Sequence, residues 1–209
     1  RLTTGAAVEF LDPDDAAPRL VVVATDKIGV LRAISGVLTL HNLEVLDARL
    51  QTRDDGVACD TFHVRRMLPN VALPSAEALL DDLVAALDGS TDLASQVAAK
   101  TAPYRRSVGD QLIVRTPTDP TLRYTAIEVR CSDQPGALFH IVEELYAAGL
   151  DIRMARIDTR GDEVRDLFYV LRDGEPIRDV NEIQPLIAGL RRSLRQRLGI
   201  QPGSNPPLI

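Results

Sequence analysis

The sequence has no tryptophan, and aromatic residues make up only 4% of its 209 positions. Any core must therefore be aliphatic, built from leucine, isoleucine, valine and alanine. These residues supply most of a hydrophobic content of 45%, which is ordinary for a globular protein. The length is sufficient for two small domains.

Long apolar runs are also absent. No run approaches the ~20 residues that a membrane-spanning helix needs, and no signal-peptide pattern is present. Cys59 and Cys131 lie in different predicted strands without metal-ligand spacing, as expected of free thiols in a reducing compartment. We therefore expect a cytoplasmic protein without a membrane partner. Arg1 stands where a complete chain would have methionine, which indicates a piece of a longer protein.

The 24 Lys and Arg residues are outnumbered by 30 Asp and Glu residues, and there are only three histidines. The formal net charge of −6 argues against nucleic acid as the main partner. The three histidines lack metal-ligand spacing, so no metal or cofactor is expected. Four arginines crowd the predicted last helix, and we interpret them as a solvated face or a contact with other domains rather than a nucleic-acid site: Arg191, Arg192, Arg195 and Arg197.

One stretch, residues 132–138 (Ser-Asp-Gln-Pro-Gly-Ala-Leu), predicts a strand-to-helix corner. The alternation of residues 124–130 before it is typical of a strand, and apolar residues recur at helical spacing after it. Proline is tolerated in the first helical turn, and Gly136 allows close approach to the backbone. Asp133 stands where a helix cap would stand. A helix start carries roughly half a positive charge and several unpaired N–H donors.

The corner occurs twice. Asp133 and Asp26 are 133 − 26 = 107 positions apart, and at that shift Gly136 matches Gly29. Further identities follow, and after a hairpin that is one residue shorter in the second copy Asp166 matches Asp60. The identical pairs include Leu31 and Leu138, Ile34 and Ile141, Leu38 and Leu145, Leu43 and Leu150, Ala48 and Ala155, Arg49 and Arg156.

Each copy predicts the order strand, helix, strand, strand, helix, strand. This is the ferredoxin-like plan of the α+β class, with antiparallel sheets and helices on one face. We expect a first unit over residues 19–116 and a second over residues 117–209. Residues 1–18 would supply a strand and a loop, and we predict that this N-terminal strand completes the sheet of the second unit.

An Asp-x-(Pro)-Gly-x-Leu corner in such a unit resembles the ACT domain, a small-molecule-binding regulatory module. The resemblance covers residues 7–200 and includes both copies. Four segments further resemble the paired ACT units at the C-terminus of the bacterial protein-PII uridylyltransferase family: residues 60–64, 104–106, 125–130 and 161–170.

The ACT resemblance implies an amino-acid site. A corner aspartate would accept the ligand's ammonium and the helix N-terminus its carboxylate, and the start of the neighbouring unit's second strand would close the site. The alternative is that the aspartates only cap helices and the glycines only serve packing. The expected site residues are Asp26, Lys27, Ile28, Gly29, Val30, Leu31, Asn42, Glu44, Asp133, Gln134, Pro135, Gly136, Ala137, Leu138 and Asp151.

The uridylyltransferase resemblance implies an allosteric sensor, with glutamine the favoured ligand and upstream catalytic domains of the same protein as partners. The chain itself is expected to have no catalytic residues. A free-standing tandem ACT sensor and a ligand-dead structural or dimerisation module stay open as alternatives, as does homodimer formation through the ACT units. Ile28 replaces the usual proline of the first corner, so the two copies need not bind equally.

Overall fold

A computed structural model describes residues 5–50, 55–68, 70–104, 111–117 and 123–200. The first half of the chain contains β1 (Ala6–Leu11), β2 (Arg19–Thr25), α1 (Val30–Leu40), β3 (Leu43–Arg49), β4 (Val57–Arg66), α2 (Ala76–Leu87) and α3 (Leu93–Thr101). The second half contains β5 (Ile113–Arg115), β6 (Thr125–Ser132), α4 (Ala137–Ala147), β7 (Leu150–Arg160), β8 (Glu163–Arg172) and α5 (Val180–Leu198).

All eight strands form one antiparallel sheet in the order β1-β2-β4-β3-β7-β8-β6-β5. Contacts run from α2 to α1, from α1 to α4 and from α4 to α5, so the helices make one layer on one face of the sheet. The α+β class and the two ferredoxin-like units are thus confirmed. Among the described residues no helix is long and apolar enough to span a membrane.

The two edge strands, β1 and β5, are the parts of the topology that the sequence predicted wrongly. Strand β1 pairs with β2 of its own unit, from Ala6 opposite Ala24 to Leu11 opposite Arg19. Strand β5, expected to close the first unit, pairs instead with β6 of the second. Each unit therefore begins with the strand that completes its own sheet. The connection from β1 to β2 is short, so local pairing costs little chain entropy. An ion pair between Arg19 and Asp12, 2.5 Å long, lies at this connection.

Strand alternation places two carboxylic acids on the side of the sheet that faces the helices. In β4 the buried positions are Ala58, Asp60, Phe62 and Val64. In β8 the corresponding buried positions are Val164, Asp166, Phe168 and Val170. Because side chains along a strand point alternately to opposite faces, the two aspartates occupy core-facing positions that an aliphatic residue would normally take.

The two units meet where β3 pairs with β7. Arg49 lies opposite Arg156, which is the same position of the repeat because 156 − 49 = 107. A pseudo-two-fold axis therefore passes between these two residues. Above the sheet α1 contacts α4, and the ring of Phe139 lies so close to Gly36 that a Cβ there would be 3.0 Å from it. The units consequently share one sheet and one helix layer.

Several local signals in the sequence are confirmed. Ser75 caps α2 by accepting a hydrogen bond from the Ala78 N–H at 3.1 Å. Asn42 has a left-handed backbone (φ 59°) just after α1. Two arginines of α5 differ from the prediction of a solvated face or a contact with other domains, because Arg191 donates to the carbonyl of Val114 at 2.8 Å and Arg197 pairs with Glu144 of the same chain.

Candidate functional site

The two predicted corners have the same backbone. Gly29 and Gly136 are the N-cap residues of α1 and α4, with φ of 95° and 77°, and no side chain caps either helix. The aspartates Asp26 and Asp133 therefore do not act as caps, which contradicts the capping part of the alternative and leaves open that the glycines only serve packing. Left-handed φ favours glycine, and a Cβ at position 136 would also lie 2.9 Å from Thr101 Cγ2.

Each corner is closed by the other unit. Asp26 and the first turn of α1 line one crevice together with Asp151 at the start of β7. Asp133 and the first turn of α4 line another together with Glu44 at the start of β3. We call these the first and second crevices. The structure thus brings both sets of predicted residues together across the pseudo-two-fold axis, although the free volume of each crevice is only about 30 Å³.

Larger space lies outside the second crevice. A depression of about 500 Å³ is lined by five predicted site residues, namely Asn42, Glu44, Asp133, Gln134 and Pro135. We call it the outer depression. Glu44, Asp133 and Gln134 line both this depression and the second crevice, so the two spaces adjoin. Among the predicted site residues, Ile28 lines none of these spaces and is 56% exposed.

Basic side chains balance the acidic groups of the first crevice. Arg153 Nη1 lies 2.8 Å from Asp26 Oδ2 and 3.4 Å from Asp151 Oδ2. Arg32, which also lines this crevice, pairs with Glu143 and lies over the ring of Tyr146, 5.1 Å from its centroid. The corner aspartate of this unit is therefore neutralised by a side chain of the other unit.

The second crevice has less positive charge. The position equivalent to Arg153 is Leu46, because 153 − 107 = 46. Arg65 Nη2 pairs with Glu44 at 2.5 Å and lies 3.9 Å from Asp133, so one guanidinium serves two carboxylates. Burial, together with repulsion from Glu44, raises the pKa of Asp133 to about 7 despite Arg65. This carboxyl therefore has only a distant share of one cation.

Asp166 lies deeper in the second crevice and is fully buried. Its Oδ1 accepts a hydrogen bond from the backbone N–H of Asp158 at 3.4 Å, and its Oδ2 has no hydrogen-bond partner in the part of the chain that the structure describes. Burial raises the pKa of Asp166 to about 8, and the negative charges of Asp133 and Asp158 act in the same direction. The group is therefore a neutral carboxylic acid below that pH. The equivalent Asp60 lines the first crevice.

Reasoning from the sequence missed Arg65, Arg153 and the two core aspartates as site residues. A sequence signal for Arg65 was present. The turn signal at residues 54–56 predicts a hairpin whose register, correct to within one residue, places Arg65 opposite Glu44, and the two are paired in the structure. Asp60 and Asp166 were recognised as a repeated identity but given no role. Thr159 lines the second crevice and donates to the Val45 carbonyl at 3.3 Å, while Thr52 and Arg53 lie outside the described residues.

Neither cysteine takes part in a disulfide bond. Burial, with the nearby charges of Asp166 and Asp133, raises the pKa of Cys131 to about 12, so this thiol stays protonated. Among the residues described here, no group of three or more His, Cys, Asp or Glu side chains could hold a metal ion.

Comparison with known proteins first identifies the class. Residues 125–187, which run from β6 into α5, match the model of the ACT domain. The match lies within the second unit, and the first unit resembles that unit in fold and in the repeated corner.

Whole-chain relatives narrow the class further. The chain is 36% identical over 192 residues to the bifunctional uridylyltransferase/uridylyl-removing enzyme of Streptomyces coelicolor, covering 88% of this chain and 23% of that protein. It is 32% identical over 189 residues to the enzyme of the same name from Gluconobacter oxydans, covering 85% of this chain and 20% of that protein. The chain is homologous to the C-terminal region of these enzymes and spans about a fifth of their length.

Solved structures add little. An aspartate kinase from Synechocystis is 11% identical, with a TM-score of 0.40, over 85% of this chain and 27% of that one. A similarity this distant carries no argument about function.

Proposed function

We propose that the chain is the amino-acid-sensing regulatory part of a nucleotidyltransferase that modifies the protein PII, and that glutamine is its ligand. The observation that carries the proposal is the charge imbalance at the second corner. One arginine serves two carboxylates at each corner, but Arg153 lies 2.8 Å from Asp26, whereas Arg65 lies 3.9 Å from Asp133 because it pairs with Glu44. We infer that the ligand binds at the second corner.

The α-amino group of an amino acid would supply a second cation for Glu44 and Asp133. An ammonium between Asp133 and Glu44 makes charge-assisted hydrogen bonds, which are about twice as strong as neutral ones. The α-carboxylate would lie at the start of α4, where first-turn N–H groups have no acceptor within the helix. The outer depression, at about 500 Å³, has room for these groups. A millimolar affinity requires only about −4 kcal/mol.

Binding at this place would act on the arrangement of the two units. The second crevice is lined by residues of both, from Glu44 on β3 to Asp133 before α4. A ligand that prefers one arrangement shifts the equilibrium between arrangements, and typical couplings are about 1–3 kcal/mol. The catalytic regions of the longer relatives would respond to that shift. We propose that such regions belong to the same protein as this chain.

Calorimetric titration of the protein with glutamine and the other amino acids tests the proposal. We expect saturable heat with glutamine, at least tenfold weaker binding in Asp133→Ala, and unchanged binding in the matched variant Asp26→Ala. Removing one partner of a charge-assisted hydrogen bond costs about 1.5–3 kcal/mol.

The same titration separates the alternatives. No heat with any amino acid would leave the chain a structural or dimerisation module and would refute sensing. Equal loss in both aspartate variants would refute the assignment to the second corner. Binding of a different amino acid instead of glutamine would support the sensing function and refute glutamine as the ligand.

A further inference from the structure

Asp166 is a buried carboxylic acid at a position where packing against the helices would be satisfied by an apolar side chain. It occupies a core-facing position of β8 between Val164 and Phe168, and none of its surface is exposed. An unpaired polar group in the core costs stability, typically about 1–3 kcal/mol. Its Oδ2 has no hydrogen-bond partner among the described residues, and Asp166 is part of the wall of the second crevice. A hydrogen bond from a ligand group to Asp166 would offset this loss of stability.

The geometry points to Asp166 as the residue that recognises the ligand's side chain, and to a primary carboxamide as the group it takes. This inference rests on the proposed function, since it adds a side-chain contact to the amino-acid site at Asp133. The two carboxyls line the same crevice, and Asp133 and Glu44 also border the outer depression. An amino acid held by its α-groups at Asp133 would direct its side chain inward to Asp166, and the second crevice, with a free volume of about 30 Å³, would have to widen to admit it.

A carboxamide matches a neutral carboxylic acid. The acid has one O–H donor and further acceptor capacity, and the amide has an acceptor oxygen and two N–H donors. The Asp166 O–H would donate to the amide oxygen, and its other oxygen would accept an amide N–H in addition to that of Asp158. The pKa of about 8 keeps the proton on Asp166 at neutral pH.

The small enclosed space at Asp166 favours a neutral group over a cation, although the nearby carboxylates would attract one. The described lining of the second crevice contains seven polar or acidic residues and six aliphatic ones, namely Leu43, Val45, Ala137, Leu138, Ile157 and Val164. The charged or titratable groups near it are Glu44 from β3, Arg65 from β4, Cys131 from β6, Asp133 from the corner and Asp158 from β7. A buried cation would lose its hydration in a crevice with a free volume of about 30 Å³.

The test compares L-glutamine with L-norleucine, which has a similar side-chain length and no amide, by calorimetry on the 209-residue protein. We expect glutamine to bind at least tenfold tighter at pH 7, because a site that hydrogen-bonds a ligand group rejects the analogue without it. Asp166→Leu should abolish this preference. Asp166→Asn should keep it, since an amide side chain also donates and accepts. The control Asp60→Leu, at the equivalent position of the first crevice, should leave it unchanged.

A second measurement on the unaltered protein does not depend on how the variants fold. The ratio of the two affinities should fall above pH 8, where Asp166 loses the proton that it donates. Titration of Asp133 affects both ligands alike and cancels from the ratio.

The outcomes are distinguishable. Equal affinity for glutamine and norleucine, or tighter binding of L-lysine than of glutamine, would overturn the carboxamide assignment and leave amino-acid binding intact. A glutamine preference that persists in Asp166→Leu would overturn the role of this residue. Absence of binding by any of these amino acids would overturn the proposed function and this inference together.

Discussion

Asp26 and Asp133 occupy the same position of the repeat, yet one nearby difference separates them chemically. Arg153 lies 2.8 Å from Asp26, whereas the equivalent position near Asp133 is Leu46, a side chain that cannot form an ion pair. The aliphatic stem of an arginine fills space, and its guanidinium group neutralises negative charge. Two corners with the same backbone can thus differ in whether a ligand's ammonium is needed.

The raised pKa of Asp166 also predicts how stability depends on pH. The value is about 8 in the folded protein and about 3.9 for an unperturbed aspartate. The folded state therefore holds this proton more tightly than the unfolded state. The contribution to stability is fully present below about pH 4 and is lost as pH rises through about 8. We expect the slope of unfolding free energy against pH to be shallower in Asp166→Asn, measured by urea unfolding from pH 5 to 9.

The control for this experiment is Asp14→Asn, in the exposed connection between β1 and β2. It should leave the slope unchanged. Burial is also the main reason why the pKa of Asp133 is raised, to about 7. Asp133 therefore lowers stability with rising pH as Asp166 does, and the Asp166 variant should keep part of the slope. An unaltered slope in Asp166→Asn would contradict the raised pKa.

The sequence was sufficient for the corner residues but not for the charges around them. Glu44 and Asp151 were expected to close the opposite corners, and each lines the crevice that this expectation named. Whether these residues bind a ligand stays a prediction. Arg153 could not be assigned because its contact with Asp26 depends on the pairing of β3 with β7, which no local pattern encodes. Long-range register was the missing information.

At the scale of elements, helices and strands were predictable because their apolar periodicities are strong. The left-handed Asn42 and the Ser75 cap came from local chemistry alone. The order of the edge strands was not predictable in this way, because β1 and β5 carry similar apolar alternation and either could complete either sheet. Chain connectivity decides it, since each lies one short connection away from its partner.

The packing of α1 against α4 predicts that truncating a buried side chain between them will lower the stability strongly. Phe139 on α4 is fully buried, and its ring lies against Gly36 on α1. Phe139→Ala should lower the unfolding free energy by about 3–5 kcal/mol, because the helices cannot fully close the space left behind. Urea unfolding measures this loss. Val180→Ala, at a side chain that is 59% exposed, should change stability by no more than about 0.5 kcal/mol. A small effect of the Phe139 substitution would contradict tight packing between the units.

At the scale of the whole molecule, the shared sheet predicts that both units unfold together. Pairing of β3 with β7 and contact of α1 with α4 join the halves through backbone hydrogen bonds and buried side chains. Partial unfolding would expose both. We expect one cooperative transition in urea. Three of the four tyrosines are in the second half of the chain (Tyr124, Tyr146 and Tyr169), so their fluorescence reports mainly that half, while far-ultraviolet circular dichroism reports both.

Coincidence of the two signals is the expected result. A tyrosine transition displaced from the circular-dichroism transition would mean that the units unfold separately. It would also weaken the proposal that a ligand between the units acts on both.

The position of β1 ahead of its own unit has a consequence for synthesis on the ribosome. An N-terminal strand that belonged to the second sheet would wait unpaired until β6 had been made, more than 100 residues later. Because β1 pairs with β2, every strand of the first sheet half has been translated by the end of β4 at Arg66. Domains generally fold as units during synthesis, N-terminal first. The first unit can therefore form its sheet early and offer β3 as a finished edge on which the second unit assembles.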